Sequence, residues 1–218
     1  MKVGTDGVLL GAWAELENTL SILDIGTGSG LIALMLAQRS KAIITAIDID
    51  KNAVIQAKIN GENSQWTDRI QILETDLLAF SNTTNSKFDL IVSNPPFFKN
   101  SLETPEFART IARHATTDFH NQIIISSLKL LTDNGKLCLI LPINEGNECI
   151  AFALKKGLFC SKKVTVFPKP TNAAKRLLIE FSKQNADCIY SELVIESEVR
   201  HCYTKDFTAL VKDFYLKL

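Results

Sequence analysis

No stretch of this 218-residue sequence stays apolar for the roughly 20 residues that a bilayer-spanning helix needs. Its opening residues also lack the charged, apolar and small-residue zones of a secretion signal, so a cytoplasmic protein with no membrane partner is the expectation. Cysteine is sparse and odd in number: Cys138, Cys149, Cys160, Cys188 and Cys202 contain no C-x-x-C pair, which suggests neither a disulfide framework nor a zinc knuckle. The five read as small buried hydrophobes, and no metal is expected. Net charge is missing as well, with 24 basic residues against 24 acidic ones, so nothing attracts nucleic acid in bulk and any such binding must come from a local patch. There is no internal repeat and no boundary between domains, so residues 1–218 are read as one domain.

What the sequence does have is a composition able to bury one good-sized core, 46% hydrophobic and 22% charged. Apolar runs at Ile22–Ile25, Ile43–Ile49, Ile70–Leu73 and Phe88–Val92 read as buried strands separated by helical segments. The helices expected between them are Leu31–Gln38 and Lys51–Asn60, the latter capped by Asp50. Later segments continue the alternation: a helix over Phe119–Leu131, Gly135 as its stop, a strand over Lys136–Leu141, a helix over Gly146–Lys155, then strands over Val164–Phe167 and Leu177–Phe181. Ser81–Ser86 reads as an exposed loop, and 99–118, which shows no clean period, as an irregular one. A short helix capped by Thr5 or Asp6 opens the chain, and Phe207, Leu210, Val211 and Phe214 form one apolar face of a closing helix. The sum is an α/β fold, a doubly wound, mainly parallel sheet of seven strands.

The most informative stretch is Leu23-Asp24-Ile25-Gly26-Thr27-Gly28-Ser29-Gly30-Leu31, strand, glycine turn and helix in succession. Glycines suit a sharp turn because they tolerate positive φ and leave the backbone open to a ligand. Their spacing is G-x-G-x-G, not the dinucleotide G-x-G-x-x-G, and no lysine follows to meet a phosphate. Asp48 ends the second strand where a carboxylate can accept from ribose hydroxyls. Asp24, just before the turn, suits a cationic amine better than a pyrophosphate, which it would repel. S-adenosylmethionine combines a ribose, an adenine and a charged methionine end.

The fourth strand runs directly into Asn94-Pro95-Pro96-Phe97, and in an open α/β sheet ligands sit beyond the carboxyl ends of the strands. An exocyclic adenine amine is a poor nucleophile because its lone pair is delocalised into the ring. The Asn94 side-chain oxygen and the Pro95 carbonyl, held by two stiff prolines, can accept its two hydrogens, and Phe97 can offer a flat apolar face to the base. No strong base is needed, because the methylated nitrogen is cationic and loses its proton readily.

Asp24-Ile25-Gly26-Thr27-Gly28-Ser29-Gly30 with Asn94-Pro95-Pro96-Phe97 resembles the class I S-adenosylmethionine-dependent amino-methyltransferases. The opening Met1 to Trp13, Leu31 to Arg39, the Arg69-Ile70 region and the tail Tyr203 to Tyr215 make the chain similar to the bacterial tRNA1(Val) adenine N6-methyltransferases. That resemblance implies a Rossmann-like domain with a lid helix (1–20), a catalytic core (21–183) and a C-terminal segment with a helix (184–218). It implies that Asp24, Gly26, Gly28 and Gly30 hold the methionine end, Asp48 and Ile49 the ribose, and Asp76 and Leu77 the adenine. Lys2, Gly4, Thr5 and Asp6 would cover the cofactor, and Asn94, Pro95, Pro96 and Phe97 would hold the target base. The substrate implied is tRNA, modified at the adenosine next to the anticodon by a monomeric enzyme.

Release-factor glutamine methyltransferases are similar at the same two motifs, but they usually carry a sizeable helical domain ahead of the first strand. A non-catalytic cofactor- or RNA-binding protein is a further alternative, and a nicotinamide oxidoreductase fails on Leu31 and on Asn94-Pro95-Pro96. For RNA, the candidate patch lies between Cys149 and Ile179, where seven basic residues stand without an acidic one. Lys169, Lys175 and Arg176, with Arg109 and Arg113, are expected to form a basic rim that tracks phosphates.

Overall fold

The computed structural model describes residues 4–96, 106–199 and 201–215, with the backbone alone over 106–116. Among these residues one sheet carries eight strands: β1 (Ser21–Ile25), β2 (Ile43–Asp48), β3 (Ile70–Glu74), β4 (Phe88–Ser93), β5 (Leu131–Pro142), β6 (Phe159–Phe167), β7 (Arg176–Ser182) and β8 (Ile189–Val194). Their order is β3-β2-β1-β4-β5-β7-β6-β8. Strands β1 to β5 are parallel, β7 is antiparallel to both β5 and β6, and β8 joins β6 in parallel. From β1 the chain winds outward to β3 and then returns to lay β4 on the other side of β1. The carboxyl ends of β1 and β4 therefore flank the switch point, where this class of sheet opens a crevice.

Among the described residues seven α-helices cover the sheet: α1 (Thr5–Trp13), α2 (Leu31–Arg39), α3 (Lys51–Glu62), α4 (Leu77–Thr83), α5 (Glu106–Leu130), α6 (Ile143–Lys156) and α7 (Lys205–Val211). Side chains alternate along each strand. Ile22, Ile44, Leu90 and Ile140 thus face one layer, where they pack with Leu9, Leu36 and Phe207 of α1, α2 and α7. Leu23, Ile25, Ile91 and Leu139 face the other, against α4, α5 and α6. Helix α3 runs along β2 and β3.

Helix α1 lies unusually close to α2. Gly7 and Gly11 stand four residues apart on one helical face, opposite Leu31 and Met35, which are also four apart. A Cβ on Gly11 would sit 2.8 Å from the Met35 sulfur, and one on Gly7 would sit 3.2 Å from Leu31 Cδ2. Two glycines thus let α1 settle onto the helix that follows the glycine turn. The Arg39 guanidinium, at the far end of α2, donates to the Gly11 and Ala14 carbonyls (2.6 and 2.9 Å) and so satisfies the end of α1.

Several expectations are corrected. The sheet has eight strands, not seven: β8 is an edge strand whose Ile189, Tyr190, Ser191 and Glu192 are exposed, so it carries no apolar run to read. The cap of α1 is Gly4, without a side-chain hydrogen bond, and Thr5 and Asp6 lie inside the first turn. Ser81, Asn82 and Thr83 complete α4, because the Ser81 and Thr83 hydroxyls donate back to carbonyls of their own helix. Of the segment read as irregular, residues 106–118 are the first half of α5, while 99–105 lie outside the described residues. The cysteines also divide. Cys138 and Cys149 are buried as expected, Cys160 and Cys188 are half-buried with sulfurs 3.4 Å apart, and Cys202 is exposed.

Gly135 is likewise not a helix stop but part of β5, at the point where the register with β4 shifts. A Cβ there would lie 2.8 Å from the Phe88 carbonyl oxygen, a backbone atom with no freedom to move aside. Gly135→Ala is expected to destabilise the fold by about 1–3 kcal/mol, the usual range for forced overpacking. Urea unfolding checks this: the midpoint should fall with an unchanged m-value, and an unchanged midpoint would mean that the strand shifts freely.

Candidate active site

The turn between β1 and α2 is built from backbone groups that need partners. Gly26, Gly28 and Gly30 all have positive φ (69°, 59° and 81°), which explains the glycine at each alternate position. The Gly26 and Thr27 amides donate to the Ile47 carbonyl (2.9 and 3.0 Å), and the Gly28 amide donates to Asp48 Oδ2 (2.8 Å). Asp48 Oδ1 accepts from the Asp50 amide (2.9 Å), so this half-buried carboxylate ties the turn to the end of β2. On the far side, Asn60 of α3 donates to the Ser29 carbonyl at 2.8 Å.

Asp24 sits beneath the turn and is fully buried. By strand alternation it shares Ile22's side of the sheet, toward α2. Gly30, the left-handed cap residue of α2, has no side chain to offer the helix's first amides. Asp24 Oδ2 supplies that acceptor from the strand, taking the Ala33 amide at 3.2 Å and the Thr27 hydroxyl at 2.6 Å, close to the positive end of the helix dipole. Asp24 Oδ1 is buried without a partner. Burial pushes the Asp24 carboxyl up to about 6, against the opposing pull of Thr27 and Ala33.

Across the switch point, the Ser93 hydroxyl donates to the Ile25 carbonyl (2.8 Å) and fastens the end of β4 to the end of β1. Asn94 follows. Its Oδ1 is buried and also without a partner, and its Nδ2 lies 4.0 Å from the place of a Cβ on Gly7. Pro95 is buried and Pro96 exposed. The two candidate motifs are thus adjacent, with α1 lying over both. At the end of β3, Asp76 is exposed and caps α4 by accepting from the Ala79 amide at 2.9 Å, while Leu77 is buried. Ile49 is exposed beside Asp48. Phe97 and Lys2 lie outside the described residues, and so do the side chains of Arg109 and Arg113, whose backbone belongs to α5.

The basic run divides between several surfaces. Lys162 pairs with Glu15, and Lys163 donates to Asn147 on α6. Lys169 pairs with Glu196 (3.8 Å) and Arg176 with Asp6 of α1 (2.8 Å), while Lys175 is exposed. A charge count along the sequence cannot see these long-range partners. Also unseen were Thr27, Ser93 and the Gly7/Gly11 pair, although a hydroxyl between glycines and two glycines four apart in a helix are legible signals. Among the described residues no group of three or more metal-ligating side chains occurs, and no helix is long and apolar enough to cross a membrane.

Residues 8–156 match the family described as methyltransferase small domain. The chain belongs to that family. A relative from Parabacteroides distasonis named tRNA1(Val) (adenine(37)-N6)-methyltransferase is 49% identical over 219 residues, covering 100% of this chain and 92% of its own. One of the same name from Trichodesmium erythraeum is 46% identical, with coverage of 100% and 92%. The fold matches the crystal structure of an Agrobacterium tumefaciens protein described as a predicted O-methyltransferase, at a TM-score of 0.75 and 21% identity over 95% of this chain and 96% of that one. The glycine turn and Asn94-Pro95-Pro96 both fall inside the methyltransferase match.

The raised Asp24 group has a definite consequence for stability. Because its folded value lies above the unfolded one, the stability tied to the protonated form is full below about pH 4 and is lost as pH rises through about 6. Asp24→Asn should remove this part of the pH dependence. At about 1.4 kcal/mol per unit, the loss between pH 4 and 7 in the parent amounts to up to about 3 kcal/mol. Urea unfolding of both proteins across that range tests it, and identical pH profiles would show that Asp24 does not titrate there.

Proposed function

We propose that this methyltransferase moves a methyl group from S-adenosylmethionine to the exocyclic N6 amine of an adenosine in tRNA, adenosine 37 of tRNA1(Val), the substrate for which its relatives are named. One observation carries the reading beyond the family: the Asn94 side-chain oxygen is a buried acceptor without a partner at the carboxyl end of β4, beside the glycine turn. A buried unsatisfied acceptor costs about 1–3 kcal/mol, which a donor on the substrate would offset. An adenine N6 amine has two hydrogens to donate. Asn94 takes one and the Pro95 carbonyl the other, which draws the amine away from the ring plane and frees its lone pair. Phe97 supports the flat face of the base.

S-adenosylmethionine supplies, when bound, a methyl group on a positively charged sulfur. The residues present fit it. Asp48 spends one lone pair of each oxygen on an amide and keeps the others for ribose hydroxyls, with Ile49 beside it. Asp24 is wholly buried and acts through the turn: ionised, it places negative charge beneath Gly26, Gly28 and Gly30, where a cationic amine is favoured. Its orphaned Oδ1 calls for a donor. Asp76 and Leu77 flank the adenine, and Lys2 and Gly4 close over the cofactor, while Thr5 and Asp6 face the Arg176 side of α1. For the RNA phosphates we assign Arg109, Arg113, Lys169, Lys175 and Arg176. Of these, Lys169 and Arg176 share their charge with Glu196 and Asp6, so Lys175 carries more of the attraction.

Mass spectrometry of nucleosides from tRNA incubated with the protein and labelled S-adenosylmethionine should reveal N6-methyladenosine. Labelled methylglutamine in a release factor, or no transfer at all, would overturn the assignment. Asn94→Ala should abolish turnover with cofactor affinity nearly intact. Asp48→Ala should weaken cofactor binding by about 1.5–3 kcal/mol per lost charged hydrogen bond. Calorimetry separates the two roles, and loss of cofactor binding in the Asn94 variant would contradict them.

A further inference from the structure

Beyond the glycine turn and Asn94, the same edge of the sheet holds a second cleft, about 350 Å³ in volume. Its walls come from five parts of the chain: the start of α1 at Asp6, the end of β6, Lys175 and Arg176 at the start of β7, Glu196 after β8, and the C-terminal aromatics. Its size falls at the lower end of the range that small ligands occupy.

Three aromatic rings give the cleft its chemistry. Phe207 is buried and forms the floor, and Tyr203 and Tyr215 are half-buried. The Tyr203 ring centre lies 5.0 Å from that of Phe207 and 6.4 Å from that of Tyr215, with the two tyrosines inclined at 57°. Both tyrosines line the cleft beside Phe207, so it is walled by aromatic surface. Charge at the rim favours an anion. Asp6 is neutralised by Arg176 and Glu196 by Lys169, which leaves the exposed Lys175 ammonium without an ion pair among the described residues. Stacking surface together with a cation is how single-stranded nucleic acid is held, base by base.

Position singles out the occupant. Asp6 lines the cleft, while the next residue, Gly7, faces Leu31 and Asn94. Only the first turn of α1 separates the cleft from Asn94, roughly one helix diameter of about 10 Å. We propose that this cleft is a second nucleotide subsite, in which Tyr203 and Tyr215 stack the base of an unpaired nucleotide close in sequence to the methylated adenosine and Lys175 meets its phosphate. The proposal rests on the tRNA-methylating function given above and extends it. Two unpaired bases of one loop are drawn out on either side of α1, and the enzyme selects single-stranded RNA by requiring both.

The test uses an RNA hairpin carrying the target adenosine in its loop, with 4-thiouridine placed at one neighbouring position at a time, irradiated on the full chain with cofactor present. One position should crosslink to a peptide containing Tyr203 or Tyr215. Crosslinks that map only to other peptides would overturn the subsite. In steady-state methylation, Tyr203→Leu and Lys175→Gln should each raise KM for the hairpin about tenfold, with kcat within about twofold and cofactor affinity unchanged. Tyr203→Phe should stay near the parent, because stacking needs the ring and not the hydroxyl. KM unchanged in both variants would also overturn the subsite. The crosslinks decide alone if the leucine variant misfolds. A parent protein that binds cofactor yet leaves the hairpin and full tRNA unmethylated would instead refute the tRNA-methylating function, whereas methylation without crosslink or KM change removes the subsite only.

Discussion

The site depends on one constraint: a turn made of left-handed glycines exposes backbone amides that must be satisfied before the turn can hold a shape. Two carboxylates at strand positions do this. Asp48 takes the Gly28 amide, and Asp24 takes the Ala33 amide together with the Thr27 hydroxyl. Because these acids ride on β2 and β1, the rigid part of a parallel sheet, the turn inherits the sheet's precision. The arrangement also concentrates negative charge under a cradle of backbone, which suits a cofactor that carries positive charge. Asp24 shows the cost, since a carboxyl so fully buried is pushed up to about 6.

Helix α1 is the second organising element. Its glycines allow it to lie on α2, Arg39 satisfies its end, and Arg176 holds Asp6 in its first turn. It therefore serves as a partition between two recesses on one edge of the sheet, the crevice with Asn94 and the aromatic cleft. The Asp6–Arg176 pair holds the first turn of α1 to the side where basic residues gather.

Features that were legible beforehand share a property: each is carried by residues close together in the chain. The glycine turn, the Asn94-Pro95-Pro96 strand end, the Asp50 cap and the apolar runs of β1 to β4 all depend on local chemistry. Elsewhere tertiary packing overrides the local signal. Ser81 and Thr83 look like loop residues but turn their hydroxyls back onto α4. Gly135 looks like a stop but provides clearance for the Phe88 carbonyl within β5. Strand β8 has few buried side chains, so periodicity had nothing to detect, and it forms because β6 offers an unpaired edge.

By itself the sequence determined the alternating α/β class, the strand ends at which ligands bind, and the residue types at those ends, because strand and helix periodicities and turn chemistry act over a few neighbours. Only the tertiary structure decided that Asp24 is enclosed beneath α2, that Asn94 keeps a buried acceptor without a partner, and that Tyr203 and Tyr215 stand on the same edge as Lys175. It also decided which of the basic residues are neutralised. Arg176 meets Asp6 across 170 positions, and Lys162 meets Glu15 across 147. Ion pairs of that kind follow from the strand order β5-β7-β6 and from the seat of α1 on α2, and no pattern within one segment encodes either.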